Sequence, residues 1–246
     1  MVILFSPSEA KTKDSFYRHI DKDSLFLPEL YDKRVEAMRI YQDYISKASL
    51  EEKRRFFGLK NKKLLMELNS IDIFNDKTQK AILRYTGVGY EYLQYDTLTK
   101  EAKEYIDNHM IIFSNLFGPI LAKDHIPFYK LKQGEKIGDF SFENHYKKYF
   151  SNTLDSYLKD RVIIDLRASF YQKFYIPKHN YITFKFLKNS KVVSHYAKAY
   201  RGVVAREIAL NNIKNEKDLM NIEFKNLKIA EVKSIKNKKE YIFEII

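Results

Sequence analysis

Two segments that are far apart in the sequence carry residue types suited to holding an anion. Residues 6–12, Ser-Pro-Ser-Glu-Ala-Lys-Thr, follow a short apolar run, and hydroxyls, a lysine and turn amides directly after a strand suit a phosphate. They lack the glycine-rich cradle of a P-loop. Lys198 and Arg201 stand three residues apart on one face of a predicted helix, where the alternative is a solvated charged surface. We expect Ser6 and Lys11 to lie near this pair, around an anion.

A second basic pattern surrounds Gly58. A helix carrying Lys53, Arg54 and Arg55 is predicted to end at this glycine, and Lys60, Lys62 and Lys63 lie at the start of the next helix. Backbone N–H groups at the start of a helix, with lysines beside them, can hold a DNA phosphate, as in a helix-hairpin-helix module. The alternative is that the glycine ends an ordinary helix. The predicted DNA contacts within residues 50–68 are Lys53, Arg54, Gly58, Lys60, Lys62 and Lys63.

Residue patterns for metal binding and covalent catalysis are missing. The absence of cysteine excludes thiolate catalysis, iron–sulfur ligation and disulfides, and none of the six histidines has metal-ligand spacing to another. Asp124-His125 is read as a surface loop, because neighbours in sequence rarely face one another. Gly87-Val88-Gly89 lacks the third glycine of a dinucleotide site and is read as a turn. We predict no metal and no cofactor, and we assign no catalytic residue.

The elements that must position these residues alternate between helix and strand. Apolar spacing and capping residues predict helices at 28–45, 49–58, 61–68, 78–85, 99–108, 142–158 and 197–210. Strands are predicted at 2–5, 110–113, 128–131, 162–166, 181–187 and 191–196, followed by a terminal hairpin at 224–232 and 240–246. Without a regular βαβ period, this order favours one α+β domain over residues 1–246, with a mixed sheet flanked by helices.

Charge and composition indicate the kind of partner. Among 246 residues, 44 Lys and Arg outnumber 32 Asp and Glu, which gives a net charge of +12. Such a charge attracts polyanions, of which nucleic acid is the commonest. The apolar stretches are too short for a membrane span or a secretion signal, so we expect a cytoplasmic protein without a membrane partner.

Several segments, taken in chain order, match the pattern of one family. They are Ser6-Pro7 with Ala10-Lys11-Thr12, Gly87-Val88-Gly89-Tyr90, and residues 113–121, 127–131, 162–166 and 196–202. Together they resemble the peroxide stress protein YaaA family over nearly the whole chain. The resemblance implies an α+β domain with a helix-hairpin-helix element and a positively charged cleft, which would include Tyr129 and Lys130. It also implies duplex DNA binding and protection of DNA against iron-driven oxidative damage.

The chain departs from the family pattern at three places. Ser8-Glu9 interrupts the usual Ser-Pro-Ala-Lys-Thr, Lys132 stands where the family has a carboxylate, and Phe170 stands where it commonly has a glutamate. Losing two carboxylates weakens shared acid–base chemistry in the cleft and makes the cleft more basic, which suits an anion.

The expected function is that of a DNA-binding protein of the peroxide stress response. Its contacts would be to the phosphate backbone of duplex DNA, without sequence preference. The alternative is an enzyme acting on a nucleotide or another phosphorylated small molecule, with Ser6, Lys11, Lys198 and Arg201 as anion holders. A third option is a scaffold whose surface charge has no single partner. Whether any reaction is catalysed stays open.

Overall fold

A mixed β-sheet runs through the centre of the molecule, of which a computed structural model describes residues 1–59 and 62–246. The strands, in chain order, are β1 (Val2–Phe5), β2 (Thr78–Lys80), β3 (Met110–Ser114), β4 (Gly118–Leu121), β5 (His125–Pro127), β6 (Lys136–Ile137), β7 (Phe140–Ser141), β8 (Ile163–Asp165), β9 (Tyr181–Lys188), β10 (Lys191–Val192), β11 (Leu227–Ile235) and β12 (Lys238–Ile245). In the described residues the main sheet has the order β11-β12-β9-β8-β1-β3-β4, and β10 pairs with the end of β9.

Helices flank this sheet. They are α1 (Tyr31–Lys47), α2 (Leu50–Phe57), α3 (Lys62–Asn69), α4 (Ala81–Arg84), α5 (Val88–Leu93), α6 (Lys100–His109), α7 (Phe142–Leu158), α8 (Ser194–Leu210) and α9 (Glu216–Met220). The arrangement confirms the predicted α+β class: a single compact domain with a mixed sheet between helices. No helix in residues 1–59 or 62–246 is long and apolar enough to cross a membrane.

The order in which the chain places its strands across the sheet reverses between β1 and β8, in the middle of the sheet. Strand β1 is parallel to β3 on one side and to β8 on the other. The chain leaves β1 toward the β3 side, whereas it leaves β8 toward β9, to which β8 is also parallel. In open sheets with parallel strands, ligands bind in the crevice outside the carboxyl ends of two such neighbouring strands. The fold therefore points to the ends of β1 and β8.

Local signals in the sequence account for the helix boundaries that agree with prediction. Ser49 and Glu52 form a capping box at the start of α2, and the side chain of Thr99 accepts the Ala102 N–H at the start of α6. Gly58 adopts the left-handed conformation at φ 63° and ends α2, as a glycine there can without strain.

Several predicted elements differ from the structure in type or extent, and in the first two cases below tertiary pairing overrides the local pattern. Thr78–Lys80 is a strand, because it pairs with β5, and only Ala81–Arg84 is helical. Residues 128–131 form no strand, since the Tyr41 hydroxyl takes the place of a strand partner and bonds both the N–H and the carbonyl of Lys130. Helix α8 begins at Ser194, three residues earlier than predicted.

Candidate functional site

A crevice opens where β1 and β8 end. Its cavity measures about 360 Å³, within the general range of small-molecule pockets. The loops that follow the two strands form two of its walls, and the first turn of α5 and the second turn of α8 form the others. It is lined by Phe5, Ser6, Pro7, Ser8, Glu9, Val88, Gly89, Tyr90, Gln133, Leu166, Ala168, Tyr171, Lys198 and Arg201.

Hydrogen bonds fix the loop after β1. The Ser6 Oγ accepts the Ala168 N–H at 2.8 Å, which ties this loop to the loop after β8. The Tyr90 hydroxyl donates to the Ser6 carbonyl at 2.9 Å, and the Ser8 Oγ accepts the Ala10 N–H at 3.2 Å. The crevice is thus formed by a connected backbone rather than by side chains alone.

Two cations of α8, Lys198 and Arg201, line the crevice. Lys198 is exposed at the rim, whereas Arg201 is half-buried and burial lowers the pKa of its guanidinium. Within residues 1–59 and 62–246, neither side chain makes a hydrogen bond or an ion pair with the protein. Ser6, Lys198 and Arg201 therefore meet at one place although they are distant in the sequence.

The carboxylate nearest to Arg201 is already engaged. Asp165, at the end of β8, receives two hydrogen bonds of 2.8 Å from the Arg167 guanidinium, and both side chains are buried. Asp165 raises the pKa of Arg201, but this influence is smaller than the lowering by burial. Because Arg167 balances the charge of Asp165, the positive charge of Arg201 is left largely uncompensated.

Lys11 does not line the crevice. Its ammonium donates to the carbonyls of Ser8 and Glu9, at 3.0 and 3.4 Å, and lies 4.3 Å from the centre of the Tyr129 ring. Burial, and next the charge of Lys130, lower the pKa of Lys11 to about 7. Lys11 thus holds the loop of residues 6–9 in place rather than facing a ligand there.

Tyr129 and Lys130, which the family resemblance assigns to the cleft, lie away from the crevice lining. Tyr129 is buried, and its hydroxyl lies 2.9 Å from both the Tyr85 hydroxyl and the Ser114 Oγ. Burial raises the pKa of Tyr129 to about 12. The backbone of Lys130 is bonded to the Tyr41 hydroxyl. This pair belongs to the packed layer beneath Lys11.

Helices α5 and α8 cross at unusually short distance, which sets the width of the crevice. A Cβ on Gly202 would lie 2.1 Å from the Gly89 carbonyl oxygen and 2.9 Å from the Leu93 nitrogen, so any larger residue would force the helices apart. Gly87 precedes α5 at φ 101°, a conformation that favours glycine, and a Cβ there would lie 2.8 Å from the Ser8 Oγ. Gly87-Val88-Gly89 is therefore the start of a helix, and the turn that the sequence pattern predicts is wrong.

The predicted DNA contacts belong to α2, to α3 and to the residues between the two helices, which we call the α2–α3 corner. Arg54 and Arg55 are exposed in the last turn of α2. Lys53 is buried and its ammonium bonds the Asn69 Oδ1, which leaves it unable to reach a phosphate from this position. Lys60 lies outside the described residues, and Lys62 and Lys63 open α3. Lys132 also lies at this corner, where its ammonium donates to the Arg55 carbonyl at 3.3 Å and pairs with Glu135.

Asp124 is a buried structural carboxylate, which corrects the surface-loop interpretation. It accepts the N–H groups of Phe26 and Leu121 at 2.7 and 3.0 Å, and burial raises its pKa to about 6. His125 instead stacks against Tyr17. In the described part of the chain, no group of three or more metal-ligating side chains lies together.

Sequence reasoning missed several residues of the crevice. Ser8, which interrupts the family motif, contributes a hydroxyl, and Tyr90, Gln133 and Tyr171 complete the walls. Only the two close glycines of residues 87–89, in a chain with seven glycines, offered a signal that backbones approach closely there.

Comparison with known proteins finds a family model and several bacterial relatives that are similar to this chain. Residues 1–233 match the family model described as peroxide stress protein YaaA. An uncharacterized protein of Campylobacter jejuni is 46% identical over 246 residues, which is the full length of both chains. A UPF0246 protein of Corynebacterium efficiens is 34% identical over 216 residues, or 85% of each chain. Another UPF0246 protein, from Agathobacter rectalis, is 28% identical over 99% of this chain and 98% of its own.

Proposed function

Because the chain belongs to the peroxide stress protein YaaA family, we propose that it acts in the peroxide stress response by binding duplex DNA and limiting iron-driven damage to it. The family match covers residues 1–233, so it concerns nearly the whole fold. The family name supports the stress-related role. DNA binding and protection against iron are the additional steps of the proposal.

The observation that carries DNA binding is the excess of positive charge. The net charge is +12, and Arg54 and Arg55 in the last turn of α2 are exposed rather than enclosed in the core. Lysines and arginines that neutralise phosphates release counterions, which drives binding without reading bases. The proposed contacts are Arg54, Lys60, Lys62 and Lys63, beside the turn at Gly58.

The first prediction concerns the α2–α3 corner. Replacing Lys60, Lys62 and Lys63 together by Glu should weaken binding to all duplex sequences alike. It should also flatten the dependence of log K on log salt concentration by roughly 0.9 for each phosphate that the protein no longer neutralises. Fluorescence anisotropy with labelled duplexes of different sequence, measured over a range of salt concentrations, gives both quantities.

The matched control carries the same charge change elsewhere. Lys214, Lys225 and Lys228 are exposed near the other end of the chain, and their replacement by Glu should lower affinity modestly without changing the salt slope as much. If the corner variant binds DNA as the parent does, the corner is not the DNA contact. In cells exposed to hydrogen peroxide, the corner variant should accumulate more DNA lesions than the control, and an iron chelator should remove the difference.

A second candidate function, an enzyme acting on a nucleotide or another phosphorylated small molecule, is favoured by the position of the crevice. The crevice lies outside the ends of β1 and β8, which is where α/β proteins hold small ligands. The volume of its cavity is within the range of small-molecule pockets. A rigid duplex cannot enter a cavity of about 360 Å³. We therefore propose this site for a small molecule and not for the duplex itself.

A further inference from the structure

Two hydroxyl groups in the crevice each accept one hydrogen bond from the backbone and have their protons free. The Ser6 Oγ already accepts the Ala168 N–H, and the Ser8 Oγ accepts the Ala10 N–H. In the described ranges, no protein acceptor lies within hydrogen-bond distance of either hydroxyl proton. A hydroxyl can donate one hydrogen bond as well as accept. Both serines can therefore donate to a ligand.

Three of the four carbonyl groups of residues 6–9 also have donors. The Ser6 carbonyl accepts from the Tyr90 hydroxyl, and the Ser8 and Glu9 carbonyls accept from the Lys11 ammonium. Most of the backbone acceptors that would attract a donor-rich ligand, such as an amine or an unmodified sugar, are thus already engaged. What the loop of residues 6–9 offers to a ligand is mainly hydrogen-bond donors.

The two cations of α8 complete a site that suits an anion. Arg201 is half-buried without a protein partner in the described residues, and the charge of neighbouring Asp165 is balanced by Arg167. A half-buried charge without a partner is costly, and an anionic ligand would remove that cost. Glu9 is the carboxylate among the described lining residues, and it lies exposed at the rim.

We propose that this crevice binds the terminal phosphate group of a small molecule, a phosphate monoester, through the Ser6 and Ser8 hydroxyls, Lys198 and Arg201. The proposal rests on the site of the second candidate function but requires no reaction and no DNA binding. A monoester carries a charge of about −1.5 to −2 at pH 7, which two cations match. Arginine binds phosphate oxygens in a planar bidentate geometry, and the half-buried position of Arg201 favours a group that can enter the crevice.

The test measures binding of four probes by isothermal titration calorimetry: inorganic phosphate, adenosine 5′-monophosphate, ribose 5-phosphate and adenosine. We expect the two monoesters to bind and adenosine not to bind. Arg201→Met should weaken the binding of the monoesters by about tenfold or more, the range for a lost charge-assisted hydrogen bond. Lys198→Met, at an exposed position where misfolding is not expected, should weaken it by a smaller factor.

Arg161→Met is the matched control. Arg161 is exposed beside the amino-terminal end of β8, whereas the crevice lies at the carboxyl end of this strand. Its loss therefore removes the same charge without touching the crevice. Monoester binding that persists in this variant and is weakened in the Arg201 and Lys198 variants supports the proposal. Equal weakening in all three, equal binding of adenosine, or no binding of any probe overturns it.

Duplex DNA distinguishes this proposal from the proposed function. If Arg201→Met leaves DNA binding unchanged while the monoesters lose affinity, the crevice is a separate small-molecule site. If Arg201→Met weakens DNA binding and no monoester binds to the parent, the crevice cations belong to the DNA surface and the monoester proposal is wrong. If the parent binds monoesters but no duplex, DNA binding fails and the crevice proposal stands.

Discussion

Some single residues of this protein have structural roles that their residue type alone does not reveal. Lys11 is in a segment whose residue types suit an anion, yet its ammonium donates to two loop carbonyls and packs over Tyr129. Asp124 follows the same logic, since two backbone N–H groups are its partners. In both cases a charged side chain organises backbone near a strand end.

The second prediction is a pH dependence of stability caused by Lys11. Its pKa is about 7 in the folded protein and near 10.5 when unfolded, so the unfolded chain binds more protons between these values. The cost of burying its charge is therefore fully present below pH 7 and is lost as pH rises toward 10.5. Relative to Lys11→Arg, which stays charged throughout, the parent should gain stability from pH 7 to 10.

Denaturant unfolding at a series of pH values measures this difference in the free energy of unfolding. The comparison uses the same buffer ions throughout, because phosphate could bind the crevice. A difference between parent and Lys11→Arg that is constant with pH would show that the Lys11 amine stays charged and is better solvated than its position indicates.

At the scale of elements, the crossing of α5 and α8 decides the shape of the crevice. Gly202 and Gly89 allow two backbones to approach closely, and the same crossing brings Arg201 toward the end of β1. A helix interior normally disfavours glycine by about 1 kcal/mol relative to alanine. Gly202 fits inside α8 in spite of this low propensity, because the neighbouring backbone leaves no space for a side chain.

The third prediction follows from that crossing. Gly202→Ala should destabilise the protein by about 1–3 kcal/mol, since the gain in helix propensity is smaller than the cost of overpacking against backbone. It should also weaken monoester binding by widening the crevice. Val203→Ala, at the adjacent half-buried position, adds no atom and should leave ligand affinity unchanged. Thermal unfolding and calorimetry measure both effects; a stabilised Gly202→Ala protein would contradict the close crossing.

Prediction from the sequence succeeds where local chemistry decides the structure and fails where distant partners do. Ser49 and Gly58 mark the ends of α2 by capping alone, and the apolar run of residues 162–166 identifies β8, which spans Ile163–Asp165. Thr78–Lys80 becomes a strand only because β5 lies beside it. That Ser6 and Arg201 line the same crevice could be expected from the residue types. The position of Ser8 and the contact between Gly89 and Gly202 depend on a helix crossing that no local pattern encodes.

At the scale of the whole molecule, exposed or half-buried positive charge lies both at the α2–α3 corner and in the crevice. Lys132 lies at the corner and the next residue, Gln133, lines the crevice, so the two places are neighbours. Under our two proposals, a duplex and a small phosphate ester would bind at these neighbouring places. The +12 net charge would raise the association rate for both, and this contribution should fall as salt concentration rises.

The fourth prediction concerns iron. In the described residues, no cluster of three or more His, Asp or Glu side chains lies in position to hold a metal, and the chain has no cysteine. We therefore expect any effect on iron-driven damage to arise without tight iron binding by the protein. After incubation with ferrous iron, gel filtration in citrate should yield protein with substoichiometric iron. Stoichiometric iron in the protein peak would contradict this and would require carboxylate ligands.

The central position of β1 also determines when the sheet can form during synthesis. Ile3 pairs with Met110 on one side and with Ile164 on the other, so both partners emerge from the ribosome long after β1 itself. Until then, the fully apolar strand Val2–Phe5 has no neighbour and is exposed to any chaperone or strand edge nearby. The crevice, which needs both β1 and β8, is therefore among the last features that the growing chain can complete.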